Sequence, residues 1–168
     1  MKVREIFDFL NELYPLHSAM EFDNPGLLVG DPEGEVSNIL IALDCTMNTV
    51  KNAKNNACEL IITHHPVIFS PLKKLLAGTV VFELIKSGIS VISMHTNLDV
   101  AENGVNDFLC RTIGLTDTTL IAAADGFVLK GGRISPVTAQ NFAKTLKAKL
   151  GGCVKYVDGG KPIEKVLV

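Results

Sequence analysis

The sequence predicts an α/β fold, with a mostly parallel or mixed sheet flanked by helices. Short apolar runs (Ile39 to Leu43, Leu60 to Ile62, Ile89 to Ser93) alternate with segments of helical periodicity. Strands of this length joined by helices predict crossover connections and parallel pairing. The runs also end in chemistry-bearing residues, and open α/β sheets bind ligands beyond the carboxyl ends of their strands.

Taken in order, Val3, Ile6, Phe7, Leu10 and Leu13 recur at helical spacing and predict an amphipathic helix that stops before Pro15. Glu21 to Gly26 is turn chemistry, and Leu27-Leu28-Val29 reads as a short strand. The continuous run Ile39 to Leu43 predicts a strand buried on both faces. Asp44 lies at its end and Thr46 is placed to cap a helix marked by Met47, Val50, Ala53 and Ala57. A strand follows at Leu60 to Ile62. Val80, Val81, Leu84 and Ile85 mark a helix stopped at Gly88, and the strand Ile89 to Ser93 comes next. Val105, Phe108 and Leu109 open a helix that closes near Gly114.

A second, truncated unit is expected over residues 127–168, after a metal-site core at 1–126, within one α/β domain. Phe127 to Leu129 reads as a strand and Gly131-Gly132 as a turn. Ser135-Pro136 reads as the cap and first residue of a helix that ends at Gly151. Cys153 to Val157 and Ile163 to Val168 read as strands. An apolar strand that ends without a turn or polar tail predicts a fold incomplete at its C-terminus.

Composition narrows the function class. Hydrophobic residues make up 47% and charged residues 20%, values typical of a soluble globular protein. No apolar stretch reaches the roughly 18 residues of a membrane span, and no signal-peptide core opens the chain. Cys45, Cys58, Cys110 and Cys153 are widely spaced and form no Cys-x-x-Cys pair, which predicts reduced thiols and a cytoplasmic protein. A net charge of −2 gives no signal for nucleic acid. Residues 130–168 carry 8 basic and 2 acidic groups; a solvated lysine-rich helix is the simplest account, and a partner-facing surface is the alternative.

Thr63-His64-His65-Pro66 and His95-Thr96-Asn97-Leu98-Asp99 hold three of the four histidines, each group following an apolar run. Burying adjacent imidazoles is costly unless each finds a partner, and a borderline divalent metal is such a partner. Neighbouring side chains on a strand face opposite ways, so His64 and His65 can serve one centre only if the chain leaves strand geometry there. Asp99 offers a hard oxygen that can bridge two cations. His95 fits either direct ligation or a catalytic role in acid–base chemistry beside the metal, and the second is favoured. Asp44 is read first as a helix cap. His17 is read as structural, and Lys73 and Lys74 as a solvated loop that could attract phosphate. No Gly-x-x-x-x-Gly-Lys, Gly-x-Ser-x-Gly or His-Glu-x-x-His motif is present.

These residues resemble the dinuclear metal centre family, also called GTP cyclohydrolase 1 type 2. The likeness runs through Asp23-Asn24-Pro25-Gly26-Leu27-Leu28-Val29-Gly30, Ala42-Leu43-Asp44-Cys45-Thr46, Ile62 to Phe69, His95 to Asp99, and Gly104-Val105-Asn106-Asp107. One departure is Phe22, where the family usually has tryptophan. The resemblance implies that His64, His65 and Asp99 ligate two divalent ions (zinc, iron or manganese) with His95 beside them. It implies a cytoplasmic homo-oligomer, a hexamer in complete members, acting on a small-molecule substrate such as a nucleotide. The activity it implies is opening of the GTP purine ring by metal-activated water; a non-catalytic metal-binding scaffold, or a degenerate or fragmentary member, is the alternative. In the family a later segment supplies a further histidine and a glutamate. The expectation for these 168 residues is therefore a weak or half-occupied site.

Overall fold

The computed structural model describes residues 1–122 and 127–168. They form two compact units, Met1–Leu98 and Asp99–Val168. The expected junction at residues 126 and 127 falls at the edge of the stretch outside the described residues, and the division instead follows Leu98.

The first unit holds α1 (Val3–Leu13), β1 (Gly26–Val29), β2 (Ile39–Ala42), α2 (Met47–Asn55), β3 (Leu60–Thr63), α3 (Val80–Lys86) and β4 (Ser90–Ser93). Its sheet has the order β1-β4-β3-β2. β2, β3 and β4 run parallel, and β1 pairs antiparallel with β4, so the sheet is mixed. Leu60, Ile61, Val91 and Ile92 are each 0% exposed, which makes β3 and β4 the two-sided centre of the core. On one face Ile61 and Val91 pack with Val50 and Ala53 of α2 and Val81 and Leu84 of α3. On the other, Leu60 and Ile92 pack with Val3 and Ile6 of α1. Each such aliphatic side chain contributes about 1.5–3 kcal/mol on burial.

Three local features fix how the chain enters these elements. Thr46 caps α2 by accepting from the Thr49 N–H at 3.1 Å, and Thr49 returns the contact to the Thr46 N–H. Ala53 and Val50, one turn apart, then face the sheet. Gly30 follows β1 at φ +113°, where an added Cβ would lie 2.1 Å from Ser90 Oγ, so only glycine fits there. The strand β2 differs from expectation: Ile39, Ile41 and Leu43 are 43%, 77% and 60% exposed. β2 is an edge strand, and α1 covers the β3–β4 part of that face but leaves these alternate residues open.

The second unit contains α5 (Val105–Ile113), β5 (Thr116–Ala122), β6 (Val128–Val137), α6 (Ala139–Leu150) and β7 (Ile163–Leu167); the short α4 (Thr96–Val100) spans the division. Its antiparallel sheet has the order β5-β6-β7. Cys110, Ile113 and Leu115 form its core, with Leu146 of α6 against them. Several expectations are corrected here. Gly131 and Gly132 lie inside β6, not in a turn: a Cβ at Gly131 would come 2.6 Å from Ile121 and 2.8 Å from Leu167, so the glycines allow close cross-strand packing. Ser135 and Pro136 also lie in β6, where its register with β7 slips between Arg133 and Val137, a place that tolerates a residue without an N–H. The helix begins later, with Thr138 accepting from the Asn141 N–H at 3.3 Å. Cys153 to Val157 forms no strand, because β7 pairs directly with β6 and leaves that run exposed. The threonine-rich β5 was not anticipated, since it shows no apolar alternation.

Candidate metal centre

Parallel pairing brings the strand ends together. Ala42, Thr63 and Ser93 are register partners across β2, β3 and β4. Two residues further along each chain stand Asp44, His65 and His95, so a row across three strands collects groups far apart in sequence. His64 lies one position earlier, and its N–H donates to Ala42 O at 3.3 Å while His65 N–H donates to Leu43 O at 3.0 Å. The ladder is thus extended past β3 before the chain turns away.

The departure from strand geometry is fixed by buried hydroxyls. Thr63 Oγ1 donates to the carbonyl of His65 at 2.9 Å, and it lies 2.8 Å from Ser93 Oγ. Thr63 is 2% exposed and Ser93 0%. This bend turns His64 and His65 toward one another, with ring centroids 5.0 Å apart. The His95 ring is 5.2 Å from that of His64 and 5.7 Å from that of His65. One nitrogen from each of the three rings lies within 4.8 Å of the others.

Each ring has an oxygen partner that sets its tautomer. His64 Nδ1 is 2.9 Å from Met94 O, His65 Nδ1 is 2.7 Å from Asp44 Oδ1, and His95 Nδ1 is 2.8 Å from Asp23 Oδ1. A carbonyl or an ionised carboxylate only accepts, so Nδ1 is the donor in each of the three contacts. Histidines that ligate metals are oriented in this way by their other nitrogen. Three imidazoles with one nitrogen each drawn together suit a borderline divalent cation, and the residues therefore fit a metal.

Asp23 is the most constrained of the acceptors. Its side chain is 0% exposed, and it also accepts from Thr96 N–H at 3.0 Å and Thr96 Oγ1 at 2.5 Å. Burial alone would push its carboxyl up, but the hydrogen bonds from Thr96, His95 and the Asn24 N–H outweigh it and hold the group below the ordinary carboxylate range. Asn97, fully buried, accepts from the His95 N–H at 2.9 Å and donates to Tyr14 O at 2.7 Å, which ties the histidine's backbone to the end of α1. Around His65 the surroundings are wetter: its side chain is 46% exposed and that of Asp44 54%. An apolar cleft of about 340 Å³ reaches His64 from Leu10, Ile41 and Met94. A larger one of about 560 Å³, lined by Leu28, Leu72 and Ile85 among others, includes none of the histidines.

Among the sequence candidates, His64, His65 and His95 are brought together, and His95 stands in the group itself as a third imidazole. Asp99 lies in α4 and opens the second unit. Asp44 orients His65, while the helix cap is Thr46. Lys73 and Lys74 are exposed, outside helix and strand. Sequence reasoning passed over Asp23, Thr63 and Ser93; the only local sign for Asp23 was its place before Asn24-Pro25-Gly26, which reads equally as a turn.

Comparisons with known proteins agree with this reading of the fold. The chain is 35% identical over 136 residues to a GTP cyclohydrolase 1 type 2 homolog of Clostridium acetobutylicum, covering 79% of this chain and 51% of that protein. It is 35% identical over 153 residues to one of Staphylococcus epidermidis, covering 89% of this chain and 41% of that protein. The chain thus spans about half the length of these relatives, or less. Among solved structures, a hypothetical protein of Staphylococcus aureus superposes with a TM-score of 0.89 at 28% identity, over 99% of this chain and 71% of that one. A Bacillus cereus protein related to NIF3 gives 0.84 at 22% identity, over 99% and 76%, a likeness of fold alone. No helix among the described residues is long and apolar enough to cross a membrane. The match to the Duf34/NIF3 (NGG1p interacting factor 3) family extends over residues 1–168, and the chain belongs to that family.

Proposed function

We propose that this chain carries part of the centre of a metal-dependent hydrolase of the GTP cyclohydrolase 1 type 2 kind, acting on a nucleotide. The observation that carries the reading is the triad of imidazoles with one nitrogen from each within 4.8 Å of the others and every Nδ1 held by an acceptor. His64, His65 and His95 would hold a divalent cation of the zinc, iron or manganese class, the first of the two ions that the family resemblance implies. When bound, such a cation supplies Lewis-acid polarisation and lowers the pKa of a water toward neutrality. The protein's own contribution is orientation. Asp23 holds the His95 ring through Nδ1, so that the other ring nitrogen is the one presented to a cation. The four free thiols support a reducing, cytoplasmic setting.

A second reading is a metal-binding interaction protein without turnover, with a homo-oligomer as its simplest form. The exposed apolar edge of β2, with Ile41 at 77%, supports it. Titration with zinc, manganese and iron under calorimetry, together with an assay of GTP consumption, separates the two. Metal-dependent GTP loss abolished by His64→Ala supports the hydrolase. Metal binding without turnover supports the interaction protein, and absence of metal binding overturns both.

A further inference from the structure

Two aromatic rings stand beside the triad with half their surface in solvent. Phe22 is 53% exposed and Phe69 50%. Their centroids are 6.5 Å apart with planes inclined at 54°. Phe69 in turn meets the His95 ring edge-on, at 6.4 Å and 89°. A phenylalanine gains most by burial, so single exposed ones occur as scatter, but a contacting pair placed against a histidine of the triad is a surface with a use.

The pair is also held in place. Phe22 precedes Asp23, whose carboxylate is fixed by His95 and Thr96. Asn24 donates from Nδ2 to the carbonyl of Ile68 at 2.7 Å, which ties this turn to the segment carrying Phe69. Residues 64–79 contain no helix or strand, and this bond anchors the backbone next to Phe69 within them. The turn, the loop and His95 therefore form one connected unit. The rings offer π-faces and no hydrogen-bonding groups, so they select flat apolar surface and not a particular pattern of donors.

We propose that Phe22 and Phe69 form a stacking platform for the planar heteroaromatic ring of the substrate, a nucleobase, and hold it beside the histidine nitrogens. The inference rests on the hydrolase reading above and adds to it the means of recognition: the base is bound by its face. Base–aromatic stacking of this kind is tolerant of base identity and is lost when the ring is removed. His95 at the edge of Phe69 then couples the position of the base to the imidazoles that would hold the cation.

The chain contains no tryptophan, so Phe22→Trp places one indole reporter in the platform of the full chain. This protein is titrated by fluorescence with guanosine 5′-monophosphate and with ribose 5-phosphate, once with added zinc and once in chelator. Saturable quenching by the nucleotide but not by the sugar phosphate, in both conditions, is the expected result. Phe69→Ala in the same background should weaken the nucleotide on the order of 10-fold, and Phe69→Tyr should retain it, with circular dichroism confirming that each variant is folded. Equal quenching by ribose 5-phosphate, no saturable quenching, or no change in folded Phe69→Ala overturns the platform. Because stacking is read in chelator, failure of metal binding leaves it standing; failure of stacking with metal bound refutes the platform alone.

Discussion

The buried carboxylate of Asp23 accepts a 2.8 Å hydrogen bond from His95 Nδ1, joining a turn before β1 to the end of β4. With 0% of the Asp23 side chain exposed, this contact is shielded from water, unlike the corresponding pair of Asp44 and His65. The two aspartates do the same thing to two histidines in different surroundings, and their substitution should therefore differ in size.

Asp23→Asn should lower zinc affinity by about 10- to 100-fold, the usual cost of losing the group that orients a ligating histidine. Asp44→Asn should cost less, since water replaces an exposed acceptor readily. Chelator-competition titrations of both variants check this, and equal losses would contradict the role given to burial.

Asp23 also links stability to acid. Its pKa is depressed in the folded protein, so its contribution is fully present above the ordinary carboxylate value of about 3.9. The contribution is lost as pH falls through the lower, folded value. Asp23→Asn should destabilise by about 1–3 kcal/mol at neutral pH, the cost of disturbing a buried hydrogen-bonding group. In urea unfolding the gap between wild type and variant should narrow in strong acid.

Gly30→Ala should be among the costliest small substitutions in the first unit. The new Cβ would meet the Ser90 backbone as well as its side chain, with Cα at 2.6 Å, and φ is +113°. A loss above about 2 kcal/mol is expected from overpacking and strain together. Gly88→Ala is the control: φ is +66° and nothing lies within 4 Å of the added atom, so about 1 kcal/mol should be lost. Thermal unfolding of both separates clash from conformational preference.

Ile41→Lys should leave the stability of the isolated chain within about 0.5 kcal/mol of wild type, because the side chain is 77% exposed. A charge on an edge strand opposes edge-to-edge pairing. Sedimentation at rising concentration should show the variant less associated than wild type if β2 is where copies meet.

Thiol reactivity should follow position. Burial raises the Cys45 thiol to about 11, and Cys58 and Cys110 are buried, whereas Cys153 is exposed. One thiol per chain should react quickly with Ellman's reagent at pH 8, and Cys153→Ser should remove that phase. A fast phase that survives would mean that the packing around Cys45, Cys58 or Cys110 opens more readily than their burial implies.

Most elements of the first unit were legible because their signals are local. The spacing of Val3, Ile6 and Leu10 marks α1, Thr46 marks the start of α2, and uninterrupted apolar runs mark β3 and β4. The histidines could be placed at strand ends for the same reason. The second unit was less legible, since its signals have two meanings. Gly131-Gly132 serves a turn or close strand packing with equal ease, and Ser135-Pro136 serves a helix start or an irregular strand.

By itself the sequence determined which segments become helices and strands in the first unit, that strand ends carry imidazole and carboxylate, and which family the chain resembles. Tertiary structure decided that His95 stands with His64 and His65, that Asp23 and not a neighbour in sequence holds it, and that Ile41 on β2 remains open. The reason is physical. Periodicity and capping depend on residues a few positions apart, whereas Asp23 and His95 meet only once the order and register of β1, β4, β3 and β2 are set.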